Sequence, residues 1–329
     1  MSARVLDRVD GFQRRHRLVG FPLAVVYKFG DDQGGYLAAL ITYYGFLSLF
    51  PLLLLLVTVL DFTLHSHPQL QQRLLESALS QFPVLGGTLR EDVHARSGSG
   101  VGLAVGILGT LYGSLGAAQA TQYAFNRAWS VPRNRRPNPL TSRLRSLLLL
   151  AVLGLGVAAT TTLSGISALT DGTATAVSGW LRAAAVAAAV LVNVGLFALA
   201  FRVLTASDVP ARALRVGAIV AGVGWEAVQL LGVYVLGHAL RGASQTYGVF
   251  GLVLGLIAWI YLLALVTTVA VEITVVAHRR LWPRALLTPF TDHVELTGAD
   301  RRAYTGYVQS ERHKGFEAVD VDFHLPNDD

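Results

Sequence analysis

YGVFGLVLGLIAWIYLLALVTTVAVEITVV, residues 247–276, holds one charged side chain, Glu272, and is otherwise apolar or uncharged from end to end. A helix needs about 20 such residues to cross a hydrocarbon core about 30 Å thick. A membrane strand would need only about 10 and would alternate apolar with polar positions, which this stretch does not do. Because unpaired backbone groups cannot face lipid, the stretch reads as a transmembrane helix. Five others read the same way, which predicts spans at about 37–60, 101–125, 144–168, 183–202, 215–237 and 250–277. The expected fold class is all-α: a polytopic membrane protein whose residues 37–282 form a six-helix transmembrane bundle.

Composition agrees. The 329-residue chain is 53% hydrophobic and 15% charged, against roughly 25% charged in a soluble protein. Its mean hydropathy is +0.49. So few charges cannot cover an aqueous surface, which excludes a soluble enzyme, a disordered chain and a coiled coil. There is no cysteine, hence no disulfide, no thiolate nucleophile and no Cys-based metal site. Of the 27 basic residues only Lys28 and Lys314 are lysine. That arginine bias, in a chain rich in Ala, Gly, Val and Leu, points to a high-GC bacterial genome and so to the bacterial cytoplasmic membrane.

The net charge of +6 takes its meaning from where the bases sit. The amino-terminal arm, the second and fourth connections and the tail together carry 22 Lys and Arg. The other side carries Arg73, Arg90, Arg96, Arg182 and Arg241. By the positive-inside rule both termini are expected in the cytoplasm. The first span begins too far into the chain for a signal peptide, so the arm is expected to be retained. Residues 1–36 form this arm, in which Val5, Leu6, Val9 and Phe12 among arginines predict an amphipathic helix on the anionic leaflet. The one long external connection, residues 62–100, is expected to hold a second amphipathic helix. Its Leu70, Leu74, Ala78 and Phe82 recur between Pro68 and Pro83. Residues 283–329 read as a cytoplasmic, partly disordered tail, with five acids and no base from Glu317 onward.

Inside the bundle the informative residues are few. Gly102, Gly106, Gly109, Gly113 and Gly116 share one face of span two, and Gly251 and Gly255 mark span six; such faces let helices approach closely. They also suit a surface that slides in a transport cycle. Pro51 is a candidate hinge in span one, because proline removes a helical hydrogen bond. An intramembrane acid is expensive and defaults to a functional hypothesis. Glu226 lies near mid-membrane in span five, with Gln229 on its own helix and Asn193 at similar depth in span four. It reads either as a carboxyl hydrogen-bonded across helices or as part of a substrate or proton path. Glu272, near the cytoplasmic end of span six, is expected to anchor that helix by pairing with Arg202 or Arg127. Span two ends in a polar patch, Gln119, Thr121, Gln122, Tyr123 and Asn126.

Enzyme readings find little support. His65 and His67 with Asp61 lack further ligands at metal spacing, and His94 adds none. No phosphate-binding loop, HExxH or GxSxG is present. The basic run Arg133–Arg136 follows from topology and needs no nucleic acid. No cofactor, metal or catalytic residue is expected.

Four segments together resemble the YihY/virulence factor BrkB family of bacterial inner-membrane proteins, over roughly residues 25–280. They are Asp31-Asp32 leading into LAALITYYGFLSLFPLLLLL; LGTLYGSLGAAQATQYAFNRAW, with Asn126 and Trp129; VGAIVAGVGWEAVQLLGVYV, with Glu226; and the opening stretch, with Tyr247-Gly248 and Glu272. Two departures are Val271 before Glu272 and the glutamines at 119 and 122. The resemblance implies six transmembrane helices, a virulence connection in some members and a poorly defined molecular activity. Members once carried the label of a transfer-RNA-processing ribonuclease (ribonuclease BN), which nothing here supports. The function expected from the residues is transport or facilitated movement of a lipid or other amphiphile, without nucleotide hydrolysis. A non-transporting envelope scaffold is the alternative, and a membrane enzyme is the least supported. Membrane lipids are the expected partners, no nucleic acid is expected, and homo-oligomerisation is left open.

Overall fold

A computed structural model of the chain describes residues 3–64, 100–150, 179–205, 209–291 and 294–324, and their regular structure is entirely helical. The external helix expected around residues 70–82, the histidines at 65, 67 and 94, and span three beyond residue 150 lie outside the described residues. In chain order the helices are α1 (Ala3–Arg15), α2 (Arg17–Asp31), α3 (Gly34–Leu64) and α4 (Gly100–Ala128). There follow α5, helical from 139 through 150, then α6 (Gly179–Leu204), α7 (Ala211–Arg279) and α8 (Gly298–Ser310). Two segments among the described residues are long and apolar enough to cross a membrane, Ala187–Leu204 in α6 and Val253–Arg279 in α7.

α7 is helical over all 69 residues, which laid straight would be about 100 Å long. It is not straight. A Cβ on Gly217 would strike the Thr274 hydroxyl, one on Gly224 would lie 2.7 Å from Val266, and one on Gly232 would strike Trp259. In a straight helix Gly232 and Trp259 would stand about 40 Å apart. The helix therefore doubles back between them, and two antiparallel arms meet along small residues. These arms coincide with the stretches expected as spans five and six; the connection expected between them is itself helical.

The other helices pack antiparallel in pairs through the same device. α4 meets α3 where Gly113 faces the Ser48 backbone and Gly116 faces Tyr44. α6 meets the first arm of α7 where Gly222 faces Val194. Polar side chains of α3 turn inward on their own helix: Thr42 donates to the Ala38 carbonyl at 2.7 Å and Ser48 to the Gly45 carbonyl at 2.8 Å, so an apolar setting leaves neither unsatisfied.

The start of α3 and the ends of α4, α6 and α7 gather at one end of the bundle. There Phe125, Trp129, Phe201, Leu204, Leu214, Val271 and Val275 form a core with Ala24 and Val25 of α2. This is the basic end. α2 buries Gly20, Ala24, Val25 and Lys28 and turns Leu18, Val19 and Val26 outward. α1 reverses the usual arrangement of an amphipathic helix: Val9 and Phe12 are exposed, while Gln13 is buried against the chain after α7. α7 stops at Arg280, which adopts a left-handed conformation (φ 53°). α8, inside the stretch read as tail, begins with a reciprocal capping box between Thr297 and Asp300, which satisfies two of its free N–H groups.

Candidate functional site

Charge is buried at the basic end. Lys28, Asp32 and Glu272 are each 1% exposed. α2 carries Lys28 and is followed at once by Asp32, so the two sit one helical turn apart and form an ion pair. The Lys28 ammonium also lies 3.5 Å from Glu272 of α7 and donates to the Ala128 carbonyl at 3.0 Å. That carbonyl belongs to the end of α4, where carbonyls lack intrahelical partners and a cation is favoured. Arg127 reaches Asp32 at 3.7 Å, and the Tyr307 ring of α8 lies 5.2 Å from the ammonium. One lysine thus ties α2, α4 and α7 beneath α8.

This corrects the expected partner of Glu272. Arg202 instead donates to the Val209 carbonyl at 3.4 Å, and Arg127 is engaged by Asp32 and, at 2.8 Å, by Glu311. The reason is packing: α2 turns its Lys28 face into the bundle, so a base that reads as a topology signal becomes the internal counter-ion.

A second layer closes over the first. Arg284, 1% exposed, pairs with Asp300 of α8 and with Asp31 at 3.3 Å. Asp300 also accepts from the Ala285 N–H at 3.0 Å. Burial acts to pull Arg284 down, but its bond to Asp300 and the charges of Asp300 and Asp31 outweigh burial and hold it above the usual arginine value. Tyr307, which donates to Asp31 at 3.0 Å, is pushed up by burial and by the adjoining Asp31 and Asp32 carboxylates. Asp10 of α1 accepts from the Leu286 N–H at 2.9 Å, and Gln13 donates to the Arg284 carbonyl at 2.6 Å. The two ends of the chain are bound to one another here.

The mid-bundle acid has a different setting. Asn193 of α6 donates through Nδ2 to Glu226 Oε2 of α7 at 3.2 Å, and both are half-buried. Gln229, three residues further along, is also half-buried. The side of α7 beside Glu226 is apolar and exposed: Val223, one turn away, is 49% exposed and Ile219, two turns away, 52%. From the pairing of α7's arms, Glu272 stands opposite about residue 219, so Glu226 lies about 10 Å deeper. Glu226 and Glu272 therefore occupy separate sites.

The remaining candidates divide. Gly113 and Gly116 face α3, as described; Gly109, Gly251 and Gly255 are half-buried, and Gly102 and Gly106 lie within the α4 helix. α3 continues as helix through Pro51. In the polar patch, Gln122 is buried, donates to Ser146 at 2.8 Å and accepts from Ser142 at 2.8 Å, clamping α4 to α5. A cavity of about 490 Å³ lies at the α2–α3 turn between Phe29, Gln33, Tyr36 and Tyr261, and Glu226 is not among the residues that line it. Among the described residues no group of three or more His, Cys, Asp or Glu is placed to hold a metal.

Sequence reasoning passed over Lys28, Asp32, Arg284 and Asp300. A signal existed for the first two: a rare lysine placed four residues before an acid, at the threshold of an apolar span. Nothing in the sequence marks Arg284, one of seven bases between Arg279 and Lys314.

A family model described as virulence factor BrkB matches residues 25–289. The chain is 26% identical over 272 residues to inner membrane protein YhjD of Escherichia coli (strain K12), covering 77% of this chain and 80% of that protein. It is 27% identical over 257 residues to an uncharacterized protein of Dickeya dadantii (strain 3937), covering 73% and 77%. No solved structure matches.

Proposed function

The chain belongs to the virulence factor BrkB family and is a membrane protein, and from that premise we propose that it eases the passage of a lipid or other amphiphile across the bacterial cytoplasmic membrane. In this reading α3, α4, α6, the two arms of α7 and the expected third span that opens within α5 make six passes. The basic end, with both termini, faces the cytoplasm under the positive-inside rule. α1 rests its outward Val9 and Phe12 on that leaflet. The protein is no enzyme and uses no nucleotide or cofactor, so any driving force is an ion gradient.

The observation that carries the reading is the Asn193–Glu226 pair, half-buried between α6 and α7 on the helix side that also exposes Ile219 and Val223. An acid at the centre of a transmembrane helix costs about 2.5–3.5 kcal/mol on insertion scales. Glu272 offsets such a cost with a sealed ion pair. Glu226 keeps a polar face at the side of the bundle, which suits a headgroup travelling along the seam while its chains stay in lipid.

The scaffold reading is favoured by one other observation, the sealed network joining α2, α4, α7 and α8. The two are separated by reconstitution. Purified protein in vesicles of native lipid is expected to accelerate lipid exchange between leaflets, and Glu226→Gln to slow it at least tenfold. Vesicles that behave like protein-free controls would leave the scaffold, and an unaltered rate in the variant would remove Glu226 from the path.

A further inference from the structure

The chemistry left open at the Asn193–Glu226 seam defines what it takes. Asn193 spends an N–H on Glu226 Oε2. Asn193 keeps a second N–H and its Oδ1, and the Glu226 carboxylate keeps further acceptor capacity. Among the described residues the ion pairs gather at the basic end, around Arg14, Lys28, Arg127, Arg133 and Arg284, and none reaches Glu226. On the helical wheel Glu226 points within about 20° of Ile219, which lies seven residues before it and is exposed. The Glu226 carboxyl therefore borders the exposed side of α7, which faces sideways and not toward either end of the bundle.

We propose that Asn193 and Glu226 form a laterally entered site for the primary ammonium group of a membrane lipid. The proposal rests on the transport reading and names its substrate class. Charge complementarity selects a cation and rejects an anionic headgroup. A carboxylate accepts hydrogen bonds, so a headgroup with N–H donors is held more strongly than a trimethylammonium headgroup of equal charge. The exposed Ile219 and Val223, on the same side of α7 as Glu226, give the acyl chains an apolar surface. Hydrogen bonds to charged groups contribute enough that losing them weakens occupancy about tenfold or more.

The test uses full-length protein in vesicles of trimethylammonium-headgroup phospholipid, doped with a photoactivatable phospholipid bearing either an ethanolamine or a choline headgroup. The expected result is about tenfold stronger crosslinking of the ethanolamine lipid to α6 and the first arm of α7, suppressed by added dodecylamine and not by dodecyltrimethylammonium. Glu226→Gln should erase the preference and Glu226→Asp should retain it; the competition arm stands on the wild-type protein if neither variant folds. Equal labelling by both headgroups, or a preference that survives Glu226→Gln, overturns the proposal. Leaflet exchange followed in the same vesicles keeps the two readings apart. Preference without exchange sinks transport alone, and exchange without preference sinks the ammonium site alone.

Discussion

Lys28 and Glu226 show how differently one apolar bundle treats charge. Lys28 has Asp32, Glu272 and the Ala128 carbonyl within reach and almost no exposure. Removing one partner of a buried ion pair leaves a charge with neither solvent nor counter-ion, a loss of about 3–5 kcal/mol. Lys28→Met is therefore expected to lower the thermal unfolding midpoint sharply in detergent. Adding Glu272→Gln to it should recover part of the loss, because the orphaned carboxylate goes too; a double variant as unstable as the summed singles would show that the pair is not coupled. Glu226→Gln should leave the midpoint near wild type, since its amide keeps the shape and an acceptor for Asn193. The two acids thus separate by assay, one reporting on stability and the other on passage.

At the scale of elements, glycine decides which helices touch. At Gly113 a Cβ would lie 2.6 Å from the Ser48 Cα and 2.7 Å from its backbone nitrogen. No rotamer change relieves a clash with backbone, so α3 and α4 must separate. Gly113→Ala is expected to destabilise by about 1–3 kcal/mol, as overpacking does. Gly195 in α6 meets nothing within 4 Å, and Gly195→Ala should gain about 0.5–1 kcal/mol by restricting the unfolded backbone. Thermal unfolding of the two variants side by side checks the contrast, and equal shifts would contradict the packing described. The glycine spacing of α4 announced a close-packing face, but only the fold says that α3 is its partner.

For the whole molecule, the basic end is a joint between the chain's two termini. Arg284 is its hub, and Arg284→Ala leaves Asp300 and Asp31 without their cation. Loss of that clamp is expected to expose the segment after α7 to limited proteolysis while the helical hairpin of α7 remains protected. Glu311, just after α8, reaches Arg127 at the end of α4 and Arg133 in the α4–α5 connection at 2.8 and 2.7 Å. Its slight burial would raise the carboxyl, but the hydrogen bonds and charges of Arg133 and Arg127 prevail and hold it below the usual value. A folded value below the unfolded one means the contact contributes fully above about pH 4.3. It is lost as pH falls through the lower folded value. The chain has no cysteine, so spin labels placed at Arg135 and His313 have no background. Their separation should stay narrow at neutral pH and broaden only below about pH 4; broadening at neutral pH would deny the contact.

Helix type and the apolar stretches that fall in α6 and α7 were legible in the sequence because each depends on local composition. Thirty residues with one charge fold as helix wherever they are put. The depth match between Asn193 and Glu226 was legible too, since rise per residue is constant along a helix. Tertiary structure alone decided the rest. Lys28 and Arg284 belong to basic segments whose composition looks like solvated topology signal; they become internal because α2 and the chain after α7 fold back against the bundle. The partner of Glu272 was misassigned for that reason. A counter-ion is chosen by distance, and distance across helices is not written in the spacing along any one of them.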